Sequence, residues 1–157
     1  MNVLQNPMTG FKLLEEAFSQ GFRMRHISKD IYIVIDKGVM GQRYTYARLN
    51  GFKVQQLVVF DEVQPLKGLP CFSLFYGTLE ELRNNGITLT FIKDILIQLK
   101  KDLHPNYGEC YYIESLIEIN NKPSLAIAKK IFGKFSLDGI DEESKIPTRI
   151  WQYKESR

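Results

Sequence analysis

The sequence has few of the residues that build disulfide frameworks, metal centres or membrane spans. It contains only two cysteines, Cys71 and Cys110, and two histidines, His26 and His104. This excludes a disulfide framework and argues against a zinc site, so we expect no metal. No apolar run approaches the roughly 20 residues that span a bilayer, so we expect no membrane association. Residues 1–9 show no basic region followed by an apolar run, which predicts a cytoplasmic protein without a signal peptide.

Charge of either sign is also modest. The 157 residues include 21 basic and 18 acidic side chains, a formal net charge of +3 that does not by itself indicate nucleic-acid binding. We therefore rank a nucleic-acid-binding domain last among the alternatives and expect no nucleic-acid partner. No repeat, low-complexity segment or linker rich in Pro, Gly or Ser interrupts the chain. With 44% apolar and 12% aromatic residues, the composition is that of one globular domain.

The first half of the chain predicts one helix followed by antiparallel strands. Apolar residues recur at helical spacing over residues 10–20, and Gly21 is expected to end that helix. Residues 36–43 are predicted to form a loop. Asn50-Gly51 is typical of a hairpin turn. Runs of β-branched and aromatic residues predict strands at residues 31–35, 44–49, 54–63 and 71–76.

The second half predicts alternating strands and helices. Apolar residues share one face of a helix over residues 82–103, which His104-Pro105-Asn106 is expected to stop. The next elements are a strand at 110–119, a helix that begins near Pro123, a loop at 136–145 and a strand at 146–154. A β–α–β crossover implies two parallel neighbouring strands. The sequence therefore predicts a mixed sheet covered by helices.

The segment Arg83-Asn84-Asn85-Gly86-Ile87-Thr88 joins a buried strand to the long helix. Exposed N–H groups at a helix N-terminus favour anions, glycine lets a phosphate approach the backbone, and Arg83 adds a positive charge. The segment therefore indicates a phosphate or pyrophosphate site, although an ordinary polar loop has the same composition. It is not a Walker loop, because no Gly-Lys-Ser/Thr follows, and it lacks two of the three glycines of a dinucleotide fingerprint.

A second motif, Asn121-Lys122-Pro123-Ser124, opens the next predicted helix. Together the two motifs resemble the GNAT acyltransferase superfamily, whose members use acyl-coenzyme A. That family has an Arg/Gln-x-x-Gly-x-Gly/Ala loop between strand and helix, and its next strand ends in Asn with a small residue three positions on. The form of the second motif looks most like the branch that acetylates the N-termini of ribosomal proteins. The resemblance covers about Phe72 to Phe135.

The resemblance implies an α/β (α+β) fold: one GNAT-like domain over residues 1–157, with a mixed, mainly antiparallel sheet. Helices would lie on both faces, and a parallel, splayed strand pair would lie in the second half. Residues 1–70, with the N-terminal helix and antiparallel strands, would form the acceptor side. Residues 71–135 would bind the cofactor, and residues 136–157 would be a C-terminal loop and strand.

The resemblance also implies acetyl-CoA as co-substrate, without a metal. The pantetheine arm would lie between the splayed strands, the pyrophosphate on the amides of the first motif, and the second motif would approach from the other side. The implied cofactor-binding residues are Thr78, Leu79, Arg83, Asn84, Asn85, Gly86, Ile87, Thr88, Asn121 and Ser124.

Two residues depart from the family pattern. Thr88 stands where the family usually has Gly or Ala, which makes the loop less open to phosphate. Ala128 stands where many members carry a Tyr general acid, which leaves the departing thiolate without an obvious proton donor.

Acylation of an amine needs a base for the ammonium and hydrogen-bond donors for the developing charge. Glu114 and Glu118 lie on one predicted strand, and their spacing of four puts both on one sheet face, so either is a candidate base. Each could instead point outward or pair with Arg or Lys. Tyr76, near the end of the preceding strand, is a candidate hydroxyl, with a core or rim position as the alternative.

These features predict an enzyme: an N-acyltransferase, specifically an acetyltransferase. It would move an acyl group from acyl-coenzyme A to a small-molecule or peptide amine by direct attack in a ternary complex. The alternative is a catalytically inactive GNAT-fold module that senses a ligand or binds a protein. We expect a monomer or a homodimer.

Overall fold

The computed structural model describes residues 7–20 and 24–156. Within these ranges the α-helices are α1 (Pro7–Ser19), α2 (Ile87–Tyr107) and α3 (Lys122–Phe132). A short 3-10 turn, Glu80–Leu82, precedes α2. The strands are β1 (Arg25–Ser28), β2 (Ile31–Lys37), β3 (Gln42–Asn50), β4 (Lys53–Leu66), β5 (Leu69–Thr78), β6 (Tyr111–Glu118), β7 (Leu137–Ile140) and β8 (Pro147–Glu155).

The eight strands form one mixed sheet in the order β1-β2-β3-β4-β5-β6-β8-β7. Among the described strands, β5 and β6 form the one parallel pair, and α2 connects them. This confirms the predicted β–α–β crossover and the mainly antiparallel sheet. The parallel pairing extends only from Cys71 opposite Tyr112 to Ser73 opposite Glu114. Beyond Ser73 and Glu114 the two strands separate, as the predicted splayed pair requires.

Helices cover both faces of the sheet. On one face α2 buries its apolar stripe, which includes Ile95 and Leu99, against Phe60 and Phe72 of β4 and β5. α3 packs beside α2, and its Ala128 lies against Ile117 and Trp151 of β6 and β8. On the opposite face, α1 buries Phe11 against residues of β3 and β4 that include Ala47, Leu57 and Val59. The helix spacing seen in the sequence therefore corresponds to burial on the sheet.

The predicted end of the long helix at His104-Pro105-Asn106 is wrong. α2 continues to Tyr107 with Pro105 inside its last turn. A tertiary contact holds that turn: the Tyr107 hydroxyl donates to Glu62 Oε2 at 2.6 Å, and the Tyr107 ring packs edge-on against Phe72. The start of the helix is also later than predicted, because Gly86 takes a left-handed φ of 71° immediately before Ile87.

The loop predicted at residues 136–145 contains a strand instead. β7 pairs antiparallel with β8 at the edge of the sheet. The loop predicted at residues 36–43 is shorter, since β2 extends to Lys37 and β3 begins at Gln42. The helix end predicted at Gly21 lies outside the described residues.

The turn between β2 and β3 packs against a buried carboxylate. A Cβ added at Gly38 would lie 1.9 Å from Asp61 Oδ1, and Asp61 is only 3% exposed. We expect Gly38→Ala to lower the free energy of unfolding by about 1–3 kcal/mol, because the buried side chain cannot yield without strain. Denaturant unfolding measures this. Gly139→Ala is the control, since its Cβ meets only the tip of Ile150 at 3.2 Å. Equal stability of the two variants would contradict the prediction.

Candidate active site

A cavity of about 620 Å³ opens where β5 and β6 separate. This volume lies within the range of small-molecule sites. Its wall is formed by the second half of β5, the second half of β6, the start of α3 and the segment from β7 to β8. The residues that line it are Leu74, Phe75, Tyr76, Ser115, Leu116, Ile117, Glu118, Asn121, Ser124, Asp141, Glu143, Ser144 and Thr148.

The main chain of β5 faces this gap at two positions. Leu79 N–H donates to Gln55 O at 3.0 Å, and hydrogen bonding alternates along an antiparallel pair, so every second residue of β5 points its main chain to β4. Leu74 and Tyr76 belong to the other set. The pairing of Ser73 with Glu114 uses the Leu74 N–H, so the Leu74 C=O and the N–H and C=O of Tyr76 face the gap. An extended ligand in the gap can therefore form strand-like hydrogen bonds with these two residues.

The Tyr76 hydroxyl is buried in the wall of the cavity. Its Oη makes no hydrogen bond of good geometry within the described part of the chain, although the Ser124 side chain lies close enough to act on it. Burial raises the pKa of Tyr76, and the nearby Ser124 side chain opposes that shift. A raised pKa keeps the hydroxyl protonated at neutral pH, and a buried hydroxyl without a partner is costly. Tyr76 therefore presents a protonated hydroxyl with which a ligand in the cavity can form a hydrogen bond.

Asn121 and Ser124 meet at the start of α3. Asn121 Oδ1 accepts the Ser124 N–H at 3.3 Å, so Asn121 caps the helix. Both residues also line the cavity. The second sequence motif therefore has a structural role and a place beside Tyr76. Ala128, one helical turn further on, is buried in the core and offers no hydroxyl.

The N-terminus of α2 carries no side-chain cap. Gly86 occupies the capping position, and a Cβ added there would meet no described atom within 4 Å. Asn84 also has a positive φ, of 66°. The Cβ position of Gly86 therefore faces open space, and no side chain caps the first N–H groups of this long helix, which are groups that can bind anions. The residues present fit a phosphate group at this turn.

Arg83 and two threonines join this turn to the end of β5. Arg83 Nε donates to the Thr78 carbonyl oxygen at 2.9 Å. The Thr78 and Thr88 hydroxyl oxygens are 2.7 Å apart, so the Thr88 side chain is held toward β5. Leu79 is buried in the core beneath α1. The Arg83–Thr88 turn follows the end of β5 and is not part of the cavity wall.

The two candidate bases differ in position. Both are half-buried on one face of β6, with the exposed Leu116 between them, as their spacing predicts. Glu118 lines the cavity, whereas Glu114 lies outside its wall and its Oε2 accepts from Gln152 Nε2 at 3.1 Å. The structure therefore brings Glu118, and not Glu114, into one cavity with Tyr76.

Sequence reasoning missed the wall formed by the segment from β7 to β8. Asp141 Oδ1 accepts the N–H groups of Glu143 and Ser144, at 3.0 and 2.6 Å, which fixes a tight turn beside the gap. Asp and Ser are typical turn residues, so the turn itself had a sequence signal, but its position did not. This wall belongs to residues 136–157, whereas the resemblance assigns the acceptor side to residues 1–70.

The described residues, 7–20 and 24–156, hold no group of three or more His, Cys, Asp or Glu side chains arranged for a metal ion. In the same ranges, none of the helices has the length and apolar character needed to cross a membrane.

No protein-family model and no curated protein matches the chain. Solved structures match it in fold. An IAA acetyltransferase from Bacillus cereus aligns at 16% identity and a TM-score of 0.57, over 71% of this chain and 77% of the other. A GNAT-family acetyltransferase from Streptococcus pneumoniae aligns at 12% identity and a TM-score of 0.54, over 73% of this chain and 67% of the other.

The branch suggested by the sequence is also represented. RimL, a ribosomal L7/L12 α-N-protein acetyltransferase, aligns at 12% identity and a TM-score of 0.52, over 73% of this chain and 71% of that one. A second RimL structure, which aligns at a TM-score of 0.50, holds coenzyme A. This chain therefore has the fold of the GNAT N-acyltransferases, as its two motifs predict.

Proposed function

We propose that the protein is an N-acetyltransferase that moves an acyl group from acyl-coenzyme A to an amine by direct attack in a ternary complex. The observation that carries this proposal is the separation of β5 and β6 beyond Ser73 and Glu114, which opens a cavity beside an unpaired edge of β5. The likeness in fold to solved acetyltransferases and the uncapped N-terminus of α2 support it.

When bound, acyl-coenzyme A would supply the acyl group as a reactive thioester. The main chain of Leu74 and Tyr76 would hold the pantetheine arm, because the Thr78 carbonyl is bonded to Arg83 and the Leu79 N–H to β4. Thr78 and Leu79 then serve to place the end of β5. Arg83 and the amides of residues 84–88 would hold the pyrophosphate, and Asn121 and Ser124 would complete the wall opposite β5.

Two side chains of the cavity suit the proton transfers of this reaction. As the new C–N bond forms and the C–S bond breaks, Glu118 takes the proton that the amine loses, directly or through a water molecule. The Tyr76 hydroxyl donates its proton to the departing thiolate sulfur. Tyr76 therefore fills the role that Ala128 cannot, from the strand rather than from the helix.

Calorimetric titration with acetyl-CoA and with free coenzyme A tests the cofactor site. We expect both to bind the wild type saturably. We expect Gly86→Glu to weaken both by at least about 30-fold, because it places a carboxylate where the pyrophosphate binds and like charges repel strongly at close range.

Gly51→Glu is the matched control. Gly51 also has a positive φ, of 60°, and open space around its Cβ position, but it lies in the β3–β4 hairpin. Gly51→Glu introduces the same kind of backbone strain, but the new carboxylate lies outside the Arg83–Thr88 turn. The affinity of this variant for acetyl-CoA and coenzyme A is therefore expected to equal that of the wild type. A folded wild type that binds neither ligand, or an equal loss in both variants, would overturn the cofactor assignment. Binding without turnover of any amine would identify the ligand-sensing module instead.

A further inference from the structure

The cavity between β5 and β6 has an acidic wall. Glu118, Asp141 and Glu143 all line it, and within the described residues no Lys, Arg or His does. This is unusual beside a site proposed for an anionic co-substrate. The turn proposed for the pyrophosphate, however, lies beyond the end of β5 and outside this wall. The pantetheine arm proposed for the gap is uncharged, so the acidic wall is left for the acceptor.

Asp141 is charged at neutral pH. The N–H of Ser144 lowers the pKa of Asp141 below its ordinary value, and the Ser144 side chain and the Glu143 N–H add to this effect. The turn that carries Asp141 and Glu143, residues 141–145, holds three acids and one lysine, Lys145, which does not line the cavity. Lys122, at the start of α3, also lies outside the wall. In a cleft lined by one sign of charge the fields of the groups add, and ligands of the opposite sign are concentrated there.

The rest of the wall is apolar or neutral. Leu74, Phe75, Leu116 and Ile117 contribute aliphatic and aromatic surface to the same cavity. A ligand that fits therefore has positive charge and an apolar stretch. The Tyr76 hydroxyl, which lies in the same wall without a hydrogen bond of good geometry, is a further group that a ligand in this cavity can satisfy.

We infer that the acceptor is an alkyl polyamine, a primary amine that carries at least one further positive charge on an aliphatic chain. This inference rests on the proposed function and specifies its substrate class. One amine lies at the reacting carbon as the nucleophile, and the second, protonated amine lies against the carboxylates of Asp141 and Glu143. An amine that carries a carboxylate is repelled by the same wall.

Three acceptors of equal chain length test the inference: 1,5-diaminopentane, pentylamine and 5-aminopentanoic acid. They end in a cation, a methyl group and an anion. With acetyl-CoA saturating, we expect kcat/KM for the diamine to exceed that for pentylamine by about tenfold at low salt, since each carboxylate contributes a modest attraction. The amino acid is expected to be the poorest acceptor. Added salt should reduce the tenfold preference, because it screens partly exposed charges.

The double variant Asp141→Asn, Glu143→Gln tests the wall itself. Asn keeps the oxygen that accepts the N–H groups of residues 143 and 144, so the turn is retained. We expect the ratio of kcat/KM for the diamine to that for pentylamine to fall about fivefold. Glu142→Gln is the control: this residue is exposed on the same turn but does not line the cavity, and the ratio should stay at the wild-type value.

The outcomes separate this inference from the proposed function. Turnover of all three acceptors with equal kcat/KM would leave an acyltransferase but overturn the polyamine assignment, as would an unchanged ratio in the double variant. If none of the three is acetylated, the acetyl-CoA titration decides the proposed function, and calorimetry with 1,5-diaminopentane alone decides the acidic site. Saturable binding that the double variant weakens would support the acidic site, and absence of binding would refute it.

Discussion

Tyr76→Phe is expected to lower kcat by about 100-fold or more, while the affinity for coenzyme A stays within about twofold. General acid catalysis typically contributes 10²–10⁴-fold, and this substitution removes only the hydroxyl. The Tyr76 hydroxyl makes no hydrogen bond of good geometry among the described residues, so its loss removes at most a weak contact with Ser124. The free energy of unfolding is therefore expected to be unchanged or slightly higher.

Steady-state kinetics, calorimetry and thermal unfolding of the same preparation separate these effects. Tyr153→Phe is the control, since Tyr153 is an exposed residue that packs on Phe132 outside the cavity, and it should retain wild-type kcat. A Tyr76→Phe variant with wild-type kcat would show that Tyr76 is only a wall residue. A parallel loss of coenzyme A affinity would mean that Tyr76 binds and does not donate a proton.

The raised pKa of Tyr76 also predicts the pH dependence of kcat. Burial favours the neutral phenol, so its proton is retained to higher pH than in an exposed tyrosine, whose pKa is about 10. We therefore expect no fall in kcat between about pH 7 and 9 that originates from Tyr76. An alkaline decline in that interval that disappears in Tyr76→Phe would contradict this.

The fold could be predicted where local patterns and tertiary packing agree. The apolar stripe of α2 and the β-branched run of β2 are each long enough to specify their own structure. β7 was missed because Leu137 to Ile140 are only four residues that include Asp and Gly, and their strand conformation comes from pairing with β8. Pro105 was misjudged because a local rule was overridden by the bond between Tyr107 and Glu62.

The residues of the candidate site also fall into two groups, those that a sequence motif can identify and those that only the strand order brings together. The Arg83–Thr88 turn and the pair Asn121 and Ser124 carry their chemistry in consecutive residues, so a sequence motif can identify them. The acidic wall cannot be found this way, since it depends on the strand order β6-β8-β7, which brings the turn at Asp141 to the gap. Spacing places Glu114 and Glu118 on one face, but only the point of strand separation distinguishes them.

Glu118→Gln is expected to lower kcat/KM by about 100-fold near neutral pH, because it removes the base proposed to receive the proton of the ammonium. Gln keeps the size and the acceptor oxygen of the side chain, so little loss of stability is expected. The defect should shrink as pH rises, since a growing fraction of the amine is already deprotonated in solution and needs no base.

Glu114→Gln is the matched control for this prediction. Glu114 lies on the same strand and the same face, and its contact with Gln152 can be kept by the oxygen of the new amide. We expect its kcat/KM to stay within about threefold of the wild type at every pH, because it lies outside the cavity wall. Profiles of kcat/KM against pH for the two variants decide the assignment. If Glu114→Gln shows the larger, pH-dependent loss, the reacting amine lies nearer to the closed end of the strand pair than the cavity at Tyr76 implies.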